Sequence, residues 1–209
     1  NAAKDVGGDF YDFFRIDEDR IGFVIADVSG KGIPAAIFMA VSRTLIRATG
    51  IRGGKPSDCL TYSNQLLANE SVDCMFVTVF YGIYTISTGE ITYCNAGHNP
   101  PYILKPDGST EVLPMPQDFL VGAIEGLEYH DQQMKLEPGE TLVMFTDGVN
   151  EAMNIDFKEF GDDRLEASLK KCAGQDCQQI IDTVKADVAE FVGEAEQSDD
   201  ITLFALKRK

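Results

Sequence analysis

The chain has 209 residues and carries 34 acidic against 18 basic residues, which gives a formal net charge of −16. This acidic excess argues against a general nucleic-acid-binding protein, which needs a basic surface to neutralise phosphates, and against a polybasic membrane anchor. Hydrophobic residues make up 44% of the chain, so a folded core is expected and disorder is not. We expect one domain over residues 1–209, a C-terminal fragment of a longer regulatory protein whose N-terminal edge is truncated.

The first fifty residues are predicted to form two strands followed by a helix. Aromatic and β-branched residues dominate residues 10–16 and 20–26, with a short acidic turn between the two runs. Apolar residues then recur every three or four positions over residues 33–48, which is the period of an amphipathic helix. Pro34 suits the first turn of that helix, and Gly50 can end it.

The middle of the chain is predicted to contain one further helix and then a series of strands. Ser57 is predicted to cap a helix that runs through residue 67. Beyond it, aromatic and β-branched runs alternate with turns rich in glycine, proline and aspartate, which is typical of antiparallel hairpins. The predicted strands form three successive pairs, at residues 75–84 and 91–95, 102–104 and 111–113, and 128–136 and 141–146.

The end of the chain is predicted to form two amphipathic helices and a last strand. The helices cover residues 164–172 and 177–191, and the strand covers residues 201–206. Hairpins favour antiparallel sheets, and a pair of helices can cover one face of a sheet. The order of the elements therefore predicts a layered α+β sandwich.

The cysteines point to neither a zinc finger nor a disulfide framework, because no two of them form a Cys-x-x-Cys pair. There are five of them, at Cys59, Cys74, Cys94, Cys172 and Cys177. The sequence also has no apolar run of transmembrane length and no secretory start, so we expect no membrane insertion. Free thiols without an export signal favour a cytoplasmic location.

Acidic residues next to small residues mark the ends of four predicted strands. Asp9, Asp27 and Asp147 lie where an apolar strand meets a turn, and Asp199 and Asp200 come just before the last strand. A single aspartate in such a place is a common turn former. Four of them could converge in space, however, and their mutual repulsion would then favour a bound divalent cation.

The type of metal follows from the available ligands. The chain has two histidines and no cysteine cluster, which is too few nitrogen and sulfur ligands for tetrahedral zinc. Oxygen ligands suit Mg²⁺, Mn²⁺ or Ca²⁺, and the absence of an aspartate-rich twelve-residue loop excludes an EF-hand. Because Mg²⁺ and Mn²⁺ usually act on phosphate substrates, the sequence predicts phosphate chemistry.

Five segments, in order along nearly the whole chain, resemble the motifs of the metal-dependent type 2C (PPM) serine/threonine protein phosphatases, in their bacterial SpoIIE/RsbU-like branch. They are VGGDFYD at residues 6–12, ADVSGKG at 26–32, NAGHNP at 95–100, FTDG at 145–148 and DDITL at 199–203. The resemblance implies an α+β fold, a four-layer α/β/β/α sandwich in which two antiparallel sheets are flanked by helix pairs. It also implies two Mn²⁺ or Mg²⁺ ions.

The resemblance implies a role for each of five ligands. Asp27 would bridge the two metals, the backbone carbonyl of Val28 would bind one of them, and Asp9 would support that same ion. Asp147 and Asp199 would hold the other. Of the last pair of acids, Asp199 is favoured by its distance from the strand, and Asp200 is the alternative.

The implied activity is hydrolysis of phosphoserine or phosphothreonine by a metal-bridging hydroxide. In this branch the expected substrate is a phosphorylated STAS-type anti-anti-sigma protein, and a sensor or receiver domain is expected on the same chain. A homodimer is possible. The alternatives are a catalytically idle, partner-binding domain of the same fold, or a hydrolase of small-molecule phosphates.

Two departures from the motifs limit the resemblance. Ser29 stands where eukaryotic relatives have the histidine suspected to be the general acid, so leaving-group protonation is unassigned. Gly97, His98 and Asn99 stand where relatives with a third metal have Gly-Asp-Ser, so a third metal site is not expected. His98 is interpreted as a turn residue or, alternatively, as a contact to phosphate. His130 has no motif and is predicted to lie on the surface.

Overall fold

A computed structural model describes residues 2–3, 6–70, 75–114 and 118–209. Within these ranges the chain forms nine strands and five helices. In chain order they are β1 (Phe10–Arg15), β2 (Arg20–Val28), α1 (Ile33–Gly50), α2 (Pro56–Glu70), β3 (Val77–Thr85), β4 (Glu90–Ala96), β5 (Tyr102–Leu104), β6 (Thr110–Val112), β7 (Gln132–Lys135), β8 (Thr141–Phe145), α3 (Asp147–Asn150), α4 (Gly161–Lys170), α5 (Cys177–Val192) and β9 (Leu203–Lys207).

The chain divides into two compact units, each assembled from separate segments. The first unit comprises Lys4–His98 and Met115–Lys135, and the second comprises Asn1–Ala3, Asn99–Pro114 and Leu136–Lys209. Each unit contains one antiparallel sheet and its own helices. The predicted α+β class with two antiparallel sheets is confirmed.

The first unit is built on a five-stranded sheet in the order β1-β2-β3-β4-β7. Along β1, buried and exposed side chains alternate, which is the pattern of a strand with one face packed. The packed face of the sheet and helices α1 and α2 share one apolar core. Burying this apolar surface is the main favourable contribution to folding of the unit.

Helix α1 packs on the sheet through three small residues and one isoleucine. Its buried residues are Ala35, Ser42, Ile46 and Gly50. A Cβ at Gly50 would lie only 2.5 Å from the Tyr81 hydroxyl oxygen, so this close approach requires glycine. Many of the apolar residues whose period predicts the helix therefore face solvent instead. The large side chains exposed along it are Ile33, Ile37 and Val41.

The second unit is built on a four-stranded sheet in the order β6-β5-β8-β9. Helix α5 packs on β9, and its buried residues are Ile180, Val184 and Val188, at the spacing of one helix face. Asp176 caps this helix and forms a capping box with Gln179, which satisfies two backbone N–H groups at its start. The predicted helices at 164–172 and 177–191 correspond to α4 and α5.

Two local predictions are wrong. The turn at Pro138 and Gly139 does not join a hairpin, because β7 pairs with β4 while β8 pairs with β5 and β9. Ser57 is not the cap of α2, since it lies inside that helix and its backbone N–H donates to the Asp131 carboxylate at 2.8 Å. In both cases a partner distant in the sequence decides the outcome. The short helix α3 was not predicted.

The cysteines in the described part of the chain are free thiols. Cys59, Cys94 and Cys172 are buried, and burial raises the pKa of the Cys59 thiol to about 12. Cys177 is partly exposed, and Cys74 lies outside the described residues. A search of the same residues found no helix that is long and apolar enough to cross a membrane.

Candidate metal centre

In the first unit, the strand register brings two of the predicted ligands together. Phe10 on β1 is paired with Ala26 on β2, so one more step along the same register sets Asp9 opposite Asp27. On the other side of β2, Asp27 is paired with Thr78 of β3. Because directly opposite residues in antiparallel strands share a face, Asp9, Asp27 and Thr78 form a row across the end of the sheet.

This row lies on the sheet face away from α1 and α2. Ala26 and Val28, the neighbours of Asp27, belong to the apolar core that includes residues of both helices. Side chains alternate along a strand, so Asp27 points to the opposite face, where it is partly exposed. A Cβ on buried Gly8 would lie 3.1 Å from the Val28 carbonyl oxygen, which shows how closely the backbone before Asp9 approaches the predicted carbonyl ligand.

In the second unit, loop contacts bring Asp147 and Asp199 together. Asp147 opens α3, directly after Thr146 at the end of β8. Thr146 exchanges two hydrogen bonds with Thr202, since its N–H donates to the Thr202 carbonyl at 3.1 Å and its hydroxyl oxygen accepts the Thr202 N–H at 3.0 Å. A Cβ at Gly148 would lie 1.9 Å from the Asp200 carbonyl oxygen, so these two backbones touch only because residue 148 is glycine.

Asp199 and Asp200 differ in their surroundings. The Asp200 carboxylate is buried and accepts a hydrogen bond from the Ala3 N–H at 2.7 Å. Asp199 is more exposed, and its carboxylate accepts the Asp200 N–H at 2.8 Å. Each of the two carboxylates therefore accepts a backbone N–H, and the choice of Asp199 as the ligand stays a prediction.

Glu151 joins these acids and was missed in the sequence. Its N–H donates to the Asp147 carbonyl at 2.8 Å. Partial burial, followed by the charges of Asp147, Glu159 and Asp199, raises the pKa of its carboxyl group. The sequence carries no signal for Glu151, which directly follows the four-residue helix α3. Negative charge therefore accumulates around Asp147, which a cation would offset.

The donor chemistry fits a hard divalent cation. The predicted ligands are four carboxylates and one backbone carbonyl, and oxygen donors of this kind suit Mg²⁺ or Mn²⁺. Extension of the β1–β2 register sets Asp9 level with Asp27 in the first unit, and the approach of Gly148 to the backbone at Asp199 and Asp200 brings Asp147 near Asp199 in the second. Over residues 2–3, 6–70, 75–114 and 118–209, no group of three or more His, Cys, Asp or Glu side chains that could hold a metal ion was found. The ligand set therefore stays a prediction.

The remaining polar motif residues have structural contacts. The Ser29 hydroxyl oxygen accepts the Phe76 N–H at 3.0 Å, so it is committed to holding the turn after β2. His98 is 1% exposed, and its Nδ1 lies 2.8 Å from the Thr78 hydroxyl. His130 is on the surface, as predicted, where it pairs with Asp118 at 2.9 Å.

Two antiparallel sheets with these helices are the fold of the PP2C-type phosphatase domains among solved structures. More narrowly, the model of the family described as Stage II sporulation protein E (SpoIIE) matches residues 17–209, and the chain belongs to this family. The match begins after Asp9, so it does not bear on that residue.

Relatives are similar over almost the full chain. Protein IcfG of Synechocystis is 33% identical over 99% of the chain, and phosphoserine phosphatase RsbU of Bacillus subtilis is 29% identical over 99%. The chain spans only 36% of the length of IcfG and 61% of RsbU. The SiaA-PP2C domain of Pseudomonas aeruginosa superimposes with a TM-score of 0.86, covering 100% of this chain and 82% of that one at 22% identity, a likeness of fold.

Proposed function

We propose that this domain removes phosphate from phosphoserine and phosphothreonine in a phosphoprotein, using two Mn²⁺ or Mg²⁺ ions. The observation that carries the proposal is the pairing of acidic residues at the motif positions of both units. Asp9 lies beside Asp27 at the end of one sheet, and Asp147 lies beside Asp199 in the other unit. Carboxylates that are brought together repel one another, and a cation would offset that repulsion.

Each ligand has a proposed task. Asp27 bridges the two ions, with the Val28 carbonyl and Asp9 serving one of them and Asp147 and Asp199 serving the other. When bound, the cations activate a water for in-line attack on phosphorus and neutralise charge on the phosphate oxygens.

No protein group is proposed to protonate the leaving serine oxygen. Ser29 stands at the motif position of the suspected general acid, but its hydroxyl has a pKa too high for this role, and its oxygen accepts the Phe76 N–H. The proton would then come from solvent or from the substrate.

The proposed substrate is a phosphorylated STAS-type anti-anti-sigma protein, in keeping with the SpoIIE/RsbU-like motifs and with the curated description of RsbU as a phosphoserine phosphatase. Such a pathway would be cytoplasmic. A sensor or receiver domain on the same chain is proposed because the curated relatives are much longer than this domain. The exposed apolar side chains of α1 are the candidate surface for that domain or for a homodimer.

The decisive experiment is hydrolysis of an aryl phosphate and of a phosphoserine peptide by the purified chain. We expect turnover with Mn²⁺ or Mg²⁺, none after chelation, and a loss of at least about a hundredfold in Asp27→Asn, because the asparagine removes the bridging charge. Asp58→Asn is the matched control, since Asp58 lies exposed on α2 in the same unit.

Four results would count against the proposal. Turnover that survives chelation, or full activity in Asp27→Asn, would exclude the metal mechanism. Equal rates on phosphopeptides and on small phosphate esters would instead favour a small-molecule phosphatase. No turnover with any divalent cation would favour the catalytically idle, partner-binding domain.

A further inference from the structure

The turn at residues 95–98 is built to fix the orientation of His98. The Asn95 side chain holds both backbone groups of His98, since its oxygen accepts the His98 N–H at 2.7 Å and its amide donates to the His98 carbonyl at 2.9 Å. Gly97 has a positive φ of 73°, a conformation that favours glycine. The imidazole is 1% exposed, so the turn holds a polar ring in a buried position.

The imidazole contacts the row of residues that contains Asp27. Its Nδ1 lies 2.8 Å from the Thr78 hydroxyl oxygen. Thr78 is the direct cross-strand partner of Asp27, and such partners have Cβ atoms about 4.5–5.5 Å apart on one face. Thr78 therefore stands between a fixed imidazole and the carboxylate that the proposed function makes the bridging ligand.

We propose that His98 is a positioning residue for Asp27 and acts through the hydroxyl of Thr78. In this arrangement the Nδ1–H of His98 donates to the Thr78 oxygen, and the single hydroxyl proton of Thr78 donates to the Asp27 carboxylate. A hydrogen bond from this hydroxyl would hold the carboxylate in its ligating rotamer. The inference rests on the proposed function, because it concerns the ligand role of Asp27.

The physical reason is that outer hydrogen-bond partners orient metal ligands. Without such a partner, a carboxylate must lose rotamer freedom when the cation binds, which weakens the affinity. Loss of an outer partner typically lowers metal affinity about 10- to 100-fold. The same contacts also explain why a buried histidine is tolerated at this site, since a buried polar ring needs a hydrogen-bond partner.

The test measures Mn²⁺ affinity directly, by calorimetric titration of the purified chain without phosphate substrate. Thr78→Val keeps the shape of the side chain and removes the hydroxyl, so we expect the Mn²⁺ affinity to fall at least about 10-fold. Thr78→Ser keeps the hydroxyl and should retain most of the affinity. His98→Asn, which keeps an N–H near the position of Nδ1, should also retain more affinity than His98→Leu.

The matched control is Thr92→Val. Thr92 lies on β4 of the same sheet. Asn95 on β4 is paired with Phe80, which shares a face with Thr78, and Thr92 is an odd number of residues from Asn95, so its side chain points to the opposite face. Its Mn²⁺ affinity should equal that of the wild type. Thermal unfolding of every variant, measured without metal, separates a loss of affinity from a loss of folding.

An unchanged Mn²⁺ affinity in Thr78→Val would overturn the inference, and so would equal affinities in Thr78→Val and Thr78→Ser. Failure of the proposed function gives a different result. In that case the affinity still falls in Thr78→Val and recovers in Thr78→Ser, but the wild-type chain does not hydrolyse phosphoserine peptides at any cation concentration.

Discussion

In the first unit the acidic residues lie at the end of paired strands, whereas in the second they lie in loops that touch through their backbones. Asp27 is the second-last residue of β2, and its neighbours are set by a ladder of hydrogen bonds. Asp147 and Asp199 are held instead by the contact of Gly148 with the chain at Asp200. In a strand ladder many hydrogen bonds share the effect of a substitution, whereas at a single loop contact the whole effect falls on that contact.

The largest effect is expected for Gly148→Ala. The added Cβ would lie 1.9 Å from the Asp200 carbonyl oxygen, so the loop with Asp199 must move. We expect a loss of about 3 kcal/mol or more in the free energy of unfolding, at the upper end of overpacking costs, together with a loss of Mn²⁺ affinity. Denaturant titration and calorimetry would measure both. Gly54→Ala is the control, since a Cβ there meets no atom within 4 Å.

A smaller effect is expected for Gly8→Ala in the first unit. The added Cβ would lie 3.1 Å from the Val28 carbonyl oxygen, a contact that a shift of a few tenths of an ångström relieves. Replacing glycine also lowers the entropy of the unfolded chain, which offsets part of the cost. The free energy of unfolding should therefore change by no more than about 1 kcal/mol. Equal costs for Gly8→Ala and Gly148→Ala would contradict the contrast between ladder and loop.

The smallest effect concerns the exposed pair of His130 and Asp118 in the first unit. A hydrogen bond from the imidazole to the Asp118 carboxylate, and then the charge of Asp118, raise the pKa of His130, and the charges of Glu128 and Asp131 act in the same direction. Because the folded pKa is raised, the pair contributes its full stability below the ordinary histidine pKa near 6.5, and this contribution is lost as the pH rises through the folded value.

We therefore expect His130→Gln to be less stable than the wild type at low pH, with the difference shrinking as the pH increases. Denaturant titrations between about pH 5 and pH 9 would follow this change. A difference that grew with pH would show that the pair does not set the charge of His130. The effect should stay small because solvent screens the pair.

The prediction of the fold from the sequence succeeded where the pattern is local. The aromatic and β-branched runs of β1 and β2, the apolar period of α5 and the turn chemistry of the β3–β4 pair all depend on residues close in the chain. The prediction failed for β7, whose partner is β4 and not its neighbour β8. A proline-glycine turn marks a change of direction, but the burial of each strand selects its partner.

The candidate site shows the same division. The motifs pointed to Asp27 and Asp147 from sequence order alone, because an acid between a strand and a small residue is visible in the sequence. Glu151, Thr78 and the contact of His98 with Thr78 were not visible. Thr78 lies in an ordinary strand run, and only the pairing of β2 with β3 makes it the neighbour of Asp27.

The sequence by itself determined the strands and helices and the acids at the strand ends, because these depend on residue type and on periods of two or 3.6 residues. Only the tertiary structure decided which strands pair, which face of α1 is buried and which residues surround the acids. One face of α1 packs on the sheet and leaves Ile33 and Ile37 exposed, whereas the apolar period alone does not show which face of a helix is buried. Those outcomes depend on residues far apart in the chain, whose proximity is fixed only by the packed fold.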